Sequence, residues 1–101
     1  MMDLEDLKAE VSIEDVLIEA GAEFESGGQY GWRSEVPFKC PFHYNVNTPS
    51  AEMNTMKGVF FCFSCGAGGS VIDAALLHLE LTNTSENIKV AAQWLEDEFL
   101  S

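Results

Sequence analysis

Four residues of this chain have the types and spacing to hold a metal ion: Cys40 and His43, then Cys62 and Cys65. Two residues separate the members of each pair, the length of a tight turn that brings both side chains to one ion. A further 18 residues lie between His43 and Cys62. Two such turns supply the four tetrahedral positions of structural Zn²⁺. All three cysteines and one of the two histidines are used, so one structural zinc ion per chain is expected. A closed Cys₃His set leaves no position open for water, which argues against catalytic zinc. Taken alone, Cys62-x-x-Cys65 also fits a thioredoxin-type redox pair, but the upstream Cys40-x-x-His43 favours metal. There is no carboxylate cluster and no nucleophile–base pair, and Glu96, Asp97 and Glu98 are consecutive and so face different directions on a helix. By itself the chain is expected to catalyse nothing.

Three other features carry competing readings. His78 falls off the apolar stripe of its predicted helix and reads as a surface histidine. The glycines of Gly66-Ala67-Gly68-Gly69 either present backbone N–H groups to a phosphate or take the left-handed conformations that a knuckle-to-helix turn demands. Tyr30, Trp32, Phe38, Phe42, Tyr44, Phe60, Phe61 and Phe63 concentrate around the two metal turns. Most must form a core. In an alternating strand, however, Phe60 and Phe61 point to opposite faces, and one face then becomes a stacking platform for single-stranded bases, flanked by Lys57, Lys39 and Arg33.

The elements that position these residues are short. Asp3 is placed to cap a helix over 4–10, and Ser12 a second helix with Glu14 and Asp15 in its first turn. Ile13, Val16, Leu17 and Ala20 recur at i, i+3, i+4 and i+7, facing a core, and Gly21 is placed to end that helix. From 30 to 61 the pattern turns β-like: strands over 30–33, 36–39, 51–54 and 59–62, with a hairpin turn at Met56-Lys57-Gly58. Ser70 then begins a helix with Asp73 three residues on, its apolar face being Ile72, Ala75, Leu76 and Leu79. A last helix is expected from about 85 to 99, with Ile88, Ala92, Leu95 and Phe99 inside. The predicted fold is α+β: a small zinc ribbon with a three- to four-stranded antiparallel sheet, flanked by N-terminal and C-terminal helices. It is read as a single domain over 1–101, with helices about 4–20, ribbon about 30–65 and helices about 70–100.

At 101 residues the core is thin, and a metal cross-link supplies stability that packing alone lacks. No segment is long enough to span a membrane. The acidic N-terminus and odd cysteine count point to a reduced, cytoplasmic protein without a membrane partner. The net charge of −12 opposes nucleic acid at first sight. Its distribution weakens that objection. Residues 1–25 hold nine acids and one lysine (−8), residues 73–101 six acids and one lysine (−5), and residues 26–72 three cations and two acids (+1). The acidic flanks read as solvated helix faces or as a surface for a basic partner.

The segments Cys40–His43, Thr48–Ser50, Lys57-Gly58 and Cys62 through Ile72 closely resemble the N-terminal zinc-binding domain of bacterial and phage DnaG-type DNA primases. The resemblance covers roughly residues 4–95 and is most specific over 38–72. It implies that Cys40, His43, Cys62 and Cys65 are the zinc ligands and that Lys57 matches a family lysine placed for template contact. The family module helps the primase engage single-stranded template and start an RNA primer, while a separate toprim-type domain holds the catalytic magnesium ions. Since the chain ends just after the zinc module, a split primase is expected, with this subunit acting in trans on a polymerase chain, in a phage or other mobile element. Arg33, Lys39, Lys57, Tyr44 and Phe61 are the expected DNA contacts. Four departures stand out: Asn47 replaces a frequent lysine, Phe61 a frequent histidine, Ala51 a frequent phenylalanine and Ser70 an aspartate. The first two remove polar or charged groups from the DNA side. The alternative expectation is a regulatory module that docks on a primase or replicative helicase through its acidic helices.

Overall fold

A computed structural model of the chain describes residues 3–24, 35–42 and 51–100. The expected strand over 30–33 therefore lies outside the described residues. In chain order the elements are α1 (Leu4–Glu10), α2 (Ile13–Glu19), β1 (Glu23–Phe24), β2 (Glu35–Lys39), β3 (Ala51–Asn54), β4 (Val59–Cys62), β5 (Gly68–Gly69), α3 (Val71–His78) and α4 (Ser85–Leu95). A π-helical turn over Glu96–Leu100 continues α4. The class is α+β, as the sequence indicates.

The strands form one antiparallel sheet in the order β1-β2-β3-β4-β5. Its body is the expected trio β2-β3-β4, and two-residue strands add an edge on each side. The register sets Val36 opposite Met53, Ala51 opposite Cys62 and Met53 opposite Phe60. Alternation puts Val36, Phe38, Ala51, Met53, Phe60 and Cys62 on one face, and all six are buried. The helices cover that face. Leu7 of α1, Ile13, Val16 and Leu17 of α2, Val71, Ile72, Ala74, Ala75 and Leu76 of α3, and Ala91, Ala92 and Leu95 of α4 join the same core. Helices and sheet thus share one hydrophobic cluster, so loss of either exposes the other.

Local chemistry explains where elements start and stop. Ser70 and Asp73 form a capping box: the Ser70 backbone N–H donates to Asp73 Oδ2 (2.9 Å) and Ile72 N–H to Ser70 Oγ (3.2 Å). Thr84 accepts from the Asn87 backbone N–H at the start of α4. The expected caps Asp3 and Ser12 precede α1 and α2 but make no side-chain capping bond. Both α2 and α3 end in the same Schellman arrangement. Ala22 N–H reaches the Leu17 carbonyl and Gly21 N–H that of Ile18; Leu81 N–H reaches Leu76 and Glu80 N–H Leu77. The left-handed position is Gly21 in the first case (φ 105°) and Glu80 in the second (φ 58°).

The last helix departs from the expected regular run to 99. After Leu95 it widens into the π turn, whose five-residue spacing sets Phe99 against Trp94, ring centroids 5.6 Å apart. Trp94 also contacts His78 at 5.2 Å, so His78 is half-buried and not a plain surface residue.

Candidate metal centre

Two backbone turns bring the cysteines together. β2 delivers Cys40 at its end, and β4 delivers Cys62, the direct cross-strand neighbour of Ala51. The chain then reverses over Phe63–Cys65. Gly66 N–H donates to the Cys62 carbonyl (2.9 Å) and Cys62 N–H to the Ala67 carbonyl (2.7 Å), which holds Cys65 beside Cys62. The Sγ atoms of Cys40, Cys62 and Cys65 all lie within 4.8 Å of one another. Cys40 and Cys65 are 3.9 Å apart.

That spacing discriminates between chemistries. Sulfurs bound at about 2.3 Å to one tetrahedral ion lie about 3.8 Å from each other, whereas bonded sulfurs lie about 2.05 Å apart. The separation fits ligands around an ion and excludes a disulfide geometry. Burial pushes the Cys40 thiol up to about 12; a backbone hydrogen bond at Phe42 opposes this, while the neighbouring Cys62 and Cys65 thiols add to it. A buried Cys40 thiolate calls for a cation beside it, and Zn²⁺ would supply that charge. Cys40 and Cys62 are buried and Cys65 is exposed. His43, the fourth expected ligand, lies outside the described residues.

The glycine run serves the turn. Gly69 adopts φ 130°, and a Cβ there would strike the Asp73 carboxylate. Asp73 thus occupies the space over the start of α3 and takes the Ser70 N–H, leaving no phosphate cradle at that point.

The aromatic residues divide as strand alternation requires. Phe60 is buried between Phe38 and Phe42 (centroids 6.5 and 5.8 Å). Phe61 points outward, 48 % exposed, and Phe63 is 68 % exposed; their rings meet edge to face at 5.2 Å. Asn54 shapes the hairpin tip. Its Oδ1 accepts from the Lys57 backbone N–H and its carbonyl from that of Gly58, both at 2.8 Å, which sets Lys57 at the exposed apex. A groove of about 250 Å³ runs between the tip and the aromatic pair, lined by Glu52, Asn54, Lys57, Val59, Phe61 and Phe63 among others. Of the expected DNA contacts, Phe61 and Lys57 therefore share one groove. Lys39 pairs with Glu23 across β1 and β2 at 3.6 Å. Arg33 and Tyr44 lie outside the described residues. Phe63 and Glu52 are not among the contacts expected from sequence; the alternation that turns Phe61 outward also turns out its cross-strand neighbour Glu52, half-buried, and is the signal that finds it.

Comparison with known proteins agrees with this geometry. The CHC2 zinc finger family, the DnaG-type zinc ribbon, matches residues 2–99. A DNA primase of Aquifex aeolicus is 29 % identical over 92 residues, covering 91 % of this chain and 17 % of that protein. A DNA primase of Borreliella burgdorferi is 39 % identical over 54 residues, covering 54 % of this chain and 10 % of that protein. The solved structure of the Aquifex aeolicus primase (zinc-binding and RNA polymerase domains) matches with a TM-score of 0.70 and 30 % identity, over 98 % of this chain and 22 % of that one. The chain therefore spans a small fraction of the length of the primases it resembles. Three cysteine sulfurs within 4.8 Å of one another, in a chain matching a zinc-finger family, make this a structural zinc site.

Proposed function

The chain belongs to the CHC2 zinc finger family of DnaG-type ribbons, and from that membership we propose that it is the zinc-ribbon subunit of a split DNA primase. It contacts single-stranded DNA template and assists RNA primer initiation in trans with a separate toprim-type polymerase chain. Residues 1–101 act as one module, in the cytoplasm, with Cys40, His43, Cys62 and Cys65 holding the zinc. RNA synthesis resides on the partner chain, and this chain alone catalyses nothing.

The observation that carries the proposal is the outer face of the ribbon. Phe61 on β4 and Phe63 in the turn after it stand exposed at the metal end of the sheet and share a groove with Lys57 at the hairpin tip. Base–aromatic stacking contributes about 1–3 kcal/mol per base whatever the sequence. Lys57 takes a phosphate next to the stacked base, and Arg33 and Tyr44 extend the contact. Lys39 contributes as well, because its pairing with the exposed Glu23 is worth only about 0–1 kcal/mol and yields to phosphate. The acidic helices repel phosphate and so confine the strand to the sheet face. They also offer a surface to the polymerase chain and to the replicative helicase.

Primer synthesis by the polymerase chain, with and without this chain, tests the proposal. Adding the wild-type chain is expected to raise primer yield and fix the start site. Phe61→Ala, with zinc still bound, is expected to lose most of that effect. Unchanged yield and start sites on adding the wild-type chain would refute it.

A further inference from the structure

Glu52 is an anomaly on a surface that meets a polyanion. It lies directly opposite Phe61 in the β3–β4 register, half-buried in the same groove. Among the described residues it makes no ion pair and no side-chain hydrogen bond. A carboxylate there repels a phosphate, so the backbone of a bound strand must run elsewhere, past Lys57 at the tip. What faces Glu52 is then a base edge.

The shape of the groove agrees. A Cβ added at Gly68 would meet Phe61 Cδ1 and the Phe60 carbonyl oxygen, each at 2.9 Å. The Phe61 ring therefore leans across β5, over the glycine, and away from β3. That lean leaves space above β3, between the aromatic pair and Glu52. Any side chain at position 68 would strike both that ring and the Phe60 carbonyl.

We propose that this groove holds one unpaired base against Phe61 and Phe63, and that Glu52 selects guanine. The inference rests on the single-strand reading above. A carboxylate is acceptor-only, with two oxygens side by side. An unpaired base offers its Watson–Crick edge. Guanine presents two adjacent donors there, N1–H and N2–H, and both bond at once to the two oxygens. Cytosine and adenine present one amino donor beside an acceptor nitrogen that the carboxylate repels. Thymine presents one N–H between two carbonyl oxygens. Only guanine satisfies both oxygens without a facing acceptor.

The test is fluorescence anisotropy of the full-length, zinc-loaded chain with thymidine dodecamers that carry one central guanine, hypoxanthine, adenine, cytosine or thymine. The guanine oligomer is expected to bind about 5- to 150-fold more tightly than all-thymine, the range of a bidentate side-chain–base pair. Hypoxanthine, which lacks the N2 amino group, should fall between them. Glu52→Gln keeps the size but offers one acceptor and one donor, a pair that every base edge can meet, so it should abolish the guanine preference: the guanine and all-thymine oligomers should then bind alike. If the wild type binds all five oligomers equally while Phe61→Ala still weakens them, the guanine inference falls and the stacking face stands. If a preference survives in Glu52→Gln, Glu52 is not the selector. If the wild type binds none, alone or with its polymerase chain, the single-strand reading itself fails.

Discussion

Removal of the zinc should cost this protein a large part of its stability, and the structure sets a lower bound. The ion ties Cys40 to Cys65, a sequence separation of 25 residues. Closing a loop of that length removes about 3.5 kcal/mol of chain entropy from the unfolded state. A chain of this size has about 5–15 kcal/mol of total stability, and each kcal/mol shifts the melting temperature of a small domain by about 4–8 °C. Chelation should therefore lower the melting temperature by about 15 °C or more. The loss should be global, because Phe38, Met53 and Phe60 of the sheet share one core with Leu17, Ala75 and Leu95 of the helices. The assay is circular-dichroism melting before and after a zinc chelator, with released metal counted colorimetrically. One ion per chain and a single cooperative transition at lower temperature are expected. A metal-free chain that melts within a few degrees of the loaded one would refute the reasoning.

The two forms should also respond to pH with opposite sign, because folding raises the Cys40 thiol to about 12. In the metal-free chain the resulting stabilisation is complete below the ordinary thiol range and is lost as pH climbs toward that value. Zinc binding needs thiolates, so the zinc-dependent increment grows with pH and fades on acidification; melting both forms across pH checks the two slopes. Glu80→Gly relieves a left-handed residue at the end of α3 and should raise stability by about 1 kcal/mol, or about 4–8 °C in a thermal melt. Asp73→Ala breaks the capping box and should cost about 1 kcal/mol by denaturant titration, with zinc content unchanged. Lys57→Ala should lower the salt slope of single-strand binding by about 0.7, the increment for one phosphate contact; an unchanged slope would remove Lys57 from the strand's path.

Much of the site was legible because ligand spacing and strand alternation are local codes. Cys40, Cys62 and Cys65 converge as the paired turns require, and Phe60 and Phe61 part to opposite faces as period-two alternation dictates. Ser70 with Asp73 gave the start of α3, and Gly21 the end of α2. Other features depend on neighbours that no local pattern encodes. Gly68–Gly69 has no strand propensity and becomes β5 only because the chain returns alongside Phe60 and Phe61. Glu80 ends α3 in the conformation that glycine signals elsewhere, so the residue type hid the stop. The π turn after Leu95 arises as Phe99 packs edge-on against Trp94 five residues back, a spacing that a regular helix does not bring together. Glu52 is one of 17 acidic residues in the sequence, and only the register places it beside Phe61.

Binding of single-stranded DNA on the outer face of the zinc-clamped sheet is tested most directly by amide chemical-shift mapping of the zinc-loaded chain during titration with a single-stranded oligonucleotide. Shifts should concentrate at Glu52, Asn54, Lys57, Phe61 and Phe63 and spare α1, α2 and α4. Shifts confined to the helices, or none at saturating oligonucleotide with the polymerase chain present, would contradict it.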